Sequence, residues 1–169
     1  MKKKLLLMLS LFTVGVVFAD SQNGMYAGLS TGLGTTNLNS TSQTGFNTAN
    51  DLAYRVDLGS KIDTYFGLEA GYVSPGQNQS WMVDLFLNYY FNTASRWDVL
   101  FGVGPYYDNL QQAVGVAGSF GVNYNFSKNV ALTFGEYLYI NPSVPASRSG
   151  DFSSYLQNNV ATVGFKFMM

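Results

Sequence analysis

The chain has 169 residues with no cysteine and no histidine, nine basic residues against ten acidic ones, 16% aromatic side chains and 11% charged ones. These counts exclude a disulfide framework, a thiolate metal site and a cysteine-borne lipid anchor, and they leave no basic footprint for a nucleic acid. So few charges among so many aromatics also fit poorly with a soluble secreted domain, whose exposed faces need charge.

Residues 1 to 19, MKKKLLLMLSLFTVGVVFA, carry three lysines, a short apolar run and a small residue before the polar DSQNG. That is the layout of a cleaved secretory signal peptide; the alternative, an uncleaved membrane helix, needs a longer apolar run. Cleavage after Ala19 leaves residues 20–169 as one domain, with six basic residues against ten acidic ones.

Downstream, no segment reaches the roughly 18 apolar residues of a membrane-spanning helix. What recurs is period-two alternation in eight runs: 25–34, 52–59, 65–72, 81–91, 97–107, 113–126, 130–140 and 159–167. In the first, Met25, Ala27, Leu29, Thr31 and Leu33 oppose Tyr26, Gly28, Ser30, Gly32 and Gly34. In the second, Leu52, Tyr54, Val56 and Leu58 oppose Arg55, Asp57 and Gly59. The third, YFGLEAGY, sets Phe66, Leu68, Ala70 and Tyr72 against Gly67, Glu69 and Gly71. The fourth and fifth set Val83, Leu85, Leu87, Val99, Phe101 and Val103 against Asp84, Phe86, Asn88, Tyr90 and Asp98. The sixth opposes Val116, Phe120, Val122 and Tyr124 to Gly121 and Asn123. The last sets Ala161, Val163, Phe165 and Phe167 against Thr162, Gly164 and Lys166.

The second face of each run holds glycines, a few aromatics and isolated charges rather than the dense charge of a solvated sheet. A sheet closed on itself, apolar outside and polar inside, accounts for both faces, and closure satisfies every backbone group in lipid. The expected fold is therefore all-β: an eight-stranded antiparallel up-and-down transmembrane β-barrel. Tight turns at 60–64, 92–96 and 126–129 alternate with loops at 35–50, 74–80, 108–112 and 141–155, the short-turn and long-loop asymmetry of bacterial outer-membrane barrels. Tyr72, Trp81, Phe91, Trp97, Tyr139 and Phe167 are placed to form interfacial girdles.

Strand seven breaks the pattern, because strict alternation aims Glu136 at lipid. A bulge at Gly135 would turn Glu136 inward and Tyr137 and Tyr139 outward. The expected lumenal charges are then Asp57, Glu69, Asp84, Asp98 and Glu136 against Arg55 and Lys166. Tyr26, Phe86 and Tyr90 are candidates to fill an interior about wide enough for side chains alone. A turn centred on Ile62 would set Arg55 directly across from Glu69, close enough to pair.

The stretches MYAGLSTGLG, YFGLEAGYV and WDVLFGVG and the ending FKF resemble the membrane domain of the outer-membrane protein A family and the opacity-type surface barrels. The resemblance implies the outer membrane of a Gram-negative bacterium, with outer-membrane lipid and lipopolysaccharide as surroundings. It also implies an assembly signal read by the barrel-insertion machinery, here Thr162, Gly164, Phe167 and Met169. The family's lumenal glutamate, matched by Glu69, resembles a gate component with a basic partner from other strands; the matching strand-seven position here is Thr133.

Enzymatic readings lack their groups. A serine has no histidine to act as its base, and Asp84 and Asp98, on different strands at different depths, make a poor acid pair. No cofactor is expected, and the chain reads as no enzyme and as a monomer. The expected function is a structural or surface-interaction barrel meeting a host or envelope ligand through loops rich in Ser, Thr, Asn and Gln. The alternative is a narrow, cation-preferring porin-like channel.

Overall fold

The computed structural model describes residues 24–38, 47–74, 81–94, 96–109, 112–140 and 156–169. The expected signal segment 1–19 and the expected loop 141–155 lie outside them. Eight strands close into one antiparallel barrel in chain order: β1 Met25–Leu38, β2 Asn47–Lys61, β3 Phe66–Ser74, β4 Met82–Ala94, β5 Trp97–Asp108, β6 Ala113–Asn125, β7 Val130–Ile140 and β8 Leu156–Met168. The seam is a long ladder, from Tyr26 opposite Met168 to Thr36 opposite Asn158. Two glycines make it possible. A Cβ on Gly32 would strike the Ala161 carbonyl, and one on Gly164 would strike the Leu29 carbonyl.

The strands β1 and β2 run well past the alternating stretches 25–34 and 52–59. β1 and β2 stay paired as far as Leu38 opposite Asn47, so the expected loop 35–50 contracts to 39–46. Residues such as Thr35, Thr36, Asn37 and Asn50 are polar on both faces and give no amphipathic signal, yet the ladder continues through them.

The outward face is a continuous apolar belt. Leu33 and Val114 are more than 60% exposed, and Leu29, Val103, Phe101, Phe120, Phe134 and Phe165 stand out beside them. A soluble monomer does not expose an apolar surface this extensive; in a bilayer it is the solvated face. Near the short turns, aromatic contacts run round the wall: Phe66–Tyr89 at 5.1 Å, Tyr89–Phe91 at 4.5 Å and Phe91–Phe101 at 5.7 Å, with Trp97–Tyr124 at 4.7 Å below them. At the other rim Trp81 lies between Tyr72 and Tyr107, at 6.2 and 6.0 Å. Tyr139 is not part of a girdle. It points inward and is fully buried.

The short turns set the register. In the β2–β3 turn, Asp63 Oδ1 accepts hydrogen bonds from the backbone N–H groups of Tyr65 and Phe66, both at 2.7 Å. This side-chain capture centres the turn two residues beyond Ile62, so Gly59, not Arg55, stands opposite Glu69, and Arg55 stands opposite Val73. The β6–β7 turn is built in the same way: Ser127 Oγ accepts from the N–H groups of Asn129 and Val130 at 3.2 Å.

The expected bulge in strand seven is absent. β7 pairs with both neighbours in unbroken register through Gly135, opposite Gly121 on β6 and Thr162 on β8. Glu136 therefore points outward and is exposed, while Tyr137 and Tyr139 point inward. Keeping the alternation costs one lipid-facing acid, for which the penalty is smaller than the ~2–4 kcal/mol of a midplane base. It buries two tyrosines of roughly 150–250 Å² each and supplies the hydrogen bonds described below. Gly135 serves instead as a seat for the Tyr137 ring, whose Cε2 would lie 2.9 Å from a Cβ there.

Candidate functional site: the lumenal ion network

Period-two alternation turns Arg55 and Asp57 of β2, Glu69 of β3, Asp84 of β4 and Lys166 of β8 into the barrel, and all five are buried. Arg55 organises them. Its Nη1 and Nη2 engage both oxygens of Asp84 at 2.6 and 3.0 Å, a bidentate fork of the strong charge-assisted kind. Nη2 also reaches Glu69 Oε1 at 3.1 Å, and Nε forms an ion pair with Asp57. The Tyr139 hydroxyl accepts from Arg55 Nη1 at 3.2 Å and donates to Asp84 Oδ2 at 2.7 Å.

Gly71 makes this arrangement possible. It sits between Asp57 on β2 and Asp84 on β4, and a Cβ there would collide with both the guanidinium and the Asp84 carboxylate. The long side chain of Arg55 can therefore lie along the wall over Gly71 and reach Glu69, four positions away in register. Rings close the faces of the cation: Arg55 Cζ lies 3.9 Å from the Tyr137 centroid and 5.6 Å from that of Phe86, at cation–π distance.

Glu69 joins this cluster to a second one. Its Oε2 accepts from Lys166 Nζ at 2.8 Å and from the Tyr26 hydroxyl at 2.6 Å, and Tyr26 OH lies 3.3 Å from Tyr90 OH. Three carboxylates and two cations thus share one buried network, leaving one negative charge where five acids against two bases were expected. On the outer side, Val73, Met82, Phe86, Tyr106, Ala117, Tyr137, Tyr139 and Val160 form an apolar cluster. The lumen is consequently filled by an ion layer beneath a plug of rings and methyls.

The remaining expected members lie elsewhere. Asp98 is near the short-turn rim, accepting from Asn125 Nδ2 at 3.1 Å with Lys61 Nζ at 3.6 Å, and is not brought to Asp84. Glu136 is outside the barrel, where Asn159 Nδ2 donates to it at 3.2 Å. Thr133 is buried in the lumen, but the bases that meet Glu69 come from β2 and β8. Thr162 and Gly164 face inward, while Phe167 and Met169 face out; Met169 N donates to Met25 O at 2.9 Å, stitching the last residue to the first strand.

The Lys166–Glu69 contact has no local signal in the sequence, because two strands separate its partners. Tyr137 and Tyr139 carried the right signal, unbroken alternation, which the expected bulge overrode. Asp108, expected in a loop, is the buried last residue of β5.

A closed, ring-plugged barrel of eight antiparallel strands with an apolar exterior is the architecture of the small transmembrane β-barrels. The chain is similar in structure to Neisserial surface protein A, with a TM-score of 0.60 and 13% identity over 85% of this chain and 96% of that one. It is similar to the N-terminal β-barrel domain of OprF from Pseudomonas aeruginosa, at 0.62 and 12% over 87% and 97%. It also matches a de novo designed transmembrane β-barrel, at 0.56 and 12% over 89% and 98%. At such identities the likeness is one of fold. No protein-family model matches the chain, and no curated protein is similar to it in sequence.

Proposed function

We propose that the chain is an integral outer-membrane barrel whose role is structural and surface-interacting, exercised through its outer loops rather than through its lumen. The observation that carries this reading is the Arg55 network beneath its ring plug, which leaves the interior packed. Neisserial surface protein A, a barrel of this fold, bears surface placement in its name. The loop sequences 39–46, 75–80 and 141–155 are rich in Ser, Asn, Gln and Thr, chemistry suited to hydrogen-bonded contact with a host or envelope ligand. Outer-leaflet lipopolysaccharide and the barrel-insertion machinery, reading Thr162, Gly164, Phe167 and Met169, complete its surroundings. We read the chain as a monomer without catalytic activity, since a sequence lacking histidine and cysteine offers few activated nucleophiles. Adhesion of cells carrying the intact barrel, compared with cells carrying one whose 39–46 and 141–155 loops are replaced by short Gly-Ser turns, tests this. Equal adhesion at equal surface levels would remove the interaction role.

One observation favours the narrow-channel alternative. Asn88, Ser119 and Asn123 line the β4–β6 side of the lumen, and side-chain atoms of each are buried without a hydrogen-bond partner among the described residues. Water threading that strip would make a thin path, and the surplus carboxylate would favour cations.

A further inference from the structure

The ion layer fills the lumen unevenly. Arg55 on β2 and Phe86 and Asn88 on β4 are fully enclosed, whereas the wall from β7 through β8 to β1 presents Gly135, Gly164 and Gly28 to the interior. Gly164 is the centre of this bare wall. Thr133 stands opposite it on β7 and Ser30 opposite it on β1, while Thr162, two residues along β8, faces Gly135. The Tyr137 ring folds over Gly135, with its Oη 2.9 Å from where a Cβ would stand. From the other side, Asp57 Oδ2 comes within 3.0 Å of the same point on Gly28.

Ser30, Asp57, Thr133, Tyr137 and Thr162 are each more than nine-tenths buried. Among the described residues, their hydroxyls and Asp57 Oδ2 have no hydrogen-bond partner. Buried hydroxyls left in this way are costly unless something meets them. Charge decides what that is. Asp84 takes both arms of the Arg55 fork and the Tyr139 hydroxyl, and Glu69 takes Arg55, Lys166 and Tyr26. Asp57 has only the ion pair with Arg55 Nε, made by Oδ1. The surplus negative charge therefore rests on Asp57, whose other oxygen is turned toward the hydroxyls. Lys166, the nearest base on this wall, is committed to Glu69. A proton on Oδ2 would cancel the charge but satisfy one hydroxyl at most, and water alone would leave the charge in place. Oxygen ligands with a single carboxylate suit a hard cation, and one surplus charge matches a monovalent ion.

We propose that this wall binds one small monovalent cation of the sodium class. It is held over Gly164 by Asp57 Oδ2 and by hydroxyls of Thr133, Thr162, Tyr137 and Ser30, which converge because they line a concave surface. The ion is a resident of the lumen that neutralises the buried network. It goes beyond the surface-interaction reading and requires no conduction.

The full mature barrel, folded in non-ionic detergent, is unfolded with urea in sodium chloride and, at equal ionic strength, in N-methylglucamine chloride, whose cation is too large to enter. Above half-saturation, the unfolding equilibrium constant should fall about tenfold for each tenfold rise in sodium, with no such fall in the organic salt. Asp57→Asn keeps the shape, removes the surplus charge and should abolish the sodium dependence. Thr162→Val, which touches no member of the Arg55 cluster, should weaken it, with folding of both variants verified by the heat-dependent gel shift. In crystals soaked with thallium(I), an anomalous peak should lie over Gly164 in the wild type and be missing in Asp57→Asn. Equal stability of the wild type in the two salts overturns the site, as does an unchanged sodium dependence in Thr162→Val or Asp57→Asn. Stability that follows pH but ignores sodium would assign the surplus charge to a proton and overturn the cation.

Discussion

Arg55 Nη2 and Glu69 Oε1 meet at 3.1 Å although their strands are paired so that Arg55 faces Val73 and Glu69 faces Gly59. The contact is diagonal, made over the bare backbone of Gly71. Direct cross-strand pairing would have made it a local clasp; the diagonal reach places the guanidinium among three carboxylates and ties β2 to β3, β4 and β7 at once.

Removing the cation should strand those carboxylates. Arg55→Met is expected to destabilise the barrel by about 3–5 kcal/mol, whereas Arg55→Met with Asp84→Asn should recover part of the loss. Unfolding by urea from detergent micelles measures both. Strict additivity of the two changes would mean that Asp84 is not held by Arg55.

Gly71 and Gly118 make a matched pair of tests. Gly71→Ala pushes a methyl into the Arg55–Asp84 fork and should cost on the order of 1–3 kcal/mol. Gly118→Ala meets open space and should stay within about 0.5 kcal/mol of the wild type. Equal costs in the same unfolding assay would show that the fork does not lie over Gly71.

The turn should hold the register. Asp63→Ala removes the acceptor for two backbone N–H groups and is expected to cost about 1 kcal/mol per hydrogen bond, with Asp63→Asn intermediate. In the register seen here, Leu58 lies opposite Ala70. Cysteines introduced by Leu58→Cys and Ala70→Cys should therefore cross-link readily. Preferential cross-linking of Leu58→Cys with Phe66→Cys instead would restore the turn centred on Ile62.

Conductance should follow the plug. Wild-type protein in planar bilayers is expected to show at most small, sporadic openings, and Phe86→Ala with Tyr137→Ala should open a larger, cation-preferring path by removing both rings that cover Arg55. Steady channels passing sugars through the wild type would displace the packed-lumen reading.

Much of this molecule could be read from alternation alone. A period of two assigns each residue to one face or the other, and the apolar runs require one face to meet lipid, so closure into a barrel and the inward placement of Arg55, Asp57, Glu69, Asp84 and Lys166 follow without knowledge of any neighbour. Alternation also put Glu136 outside and Tyr137 and Tyr139 inside, and the expectation failed there because the apparent cost of one acid outweighed a pattern that the packing of two tyrosines in fact upholds. Strand ends were illegible where both faces are polar, as from Thr35 to Asn37. Register was decided by Asp63 capturing two backbone N–H groups, a choice between neighbouring turn positions that composition does not distinguish. The partnership of Lys166 with Glu69 belongs to the tertiary structure entirely: β3 and β8 are brought face to face only when the barrel closes, and the distance across its lumen is written in no local stretch of the chain.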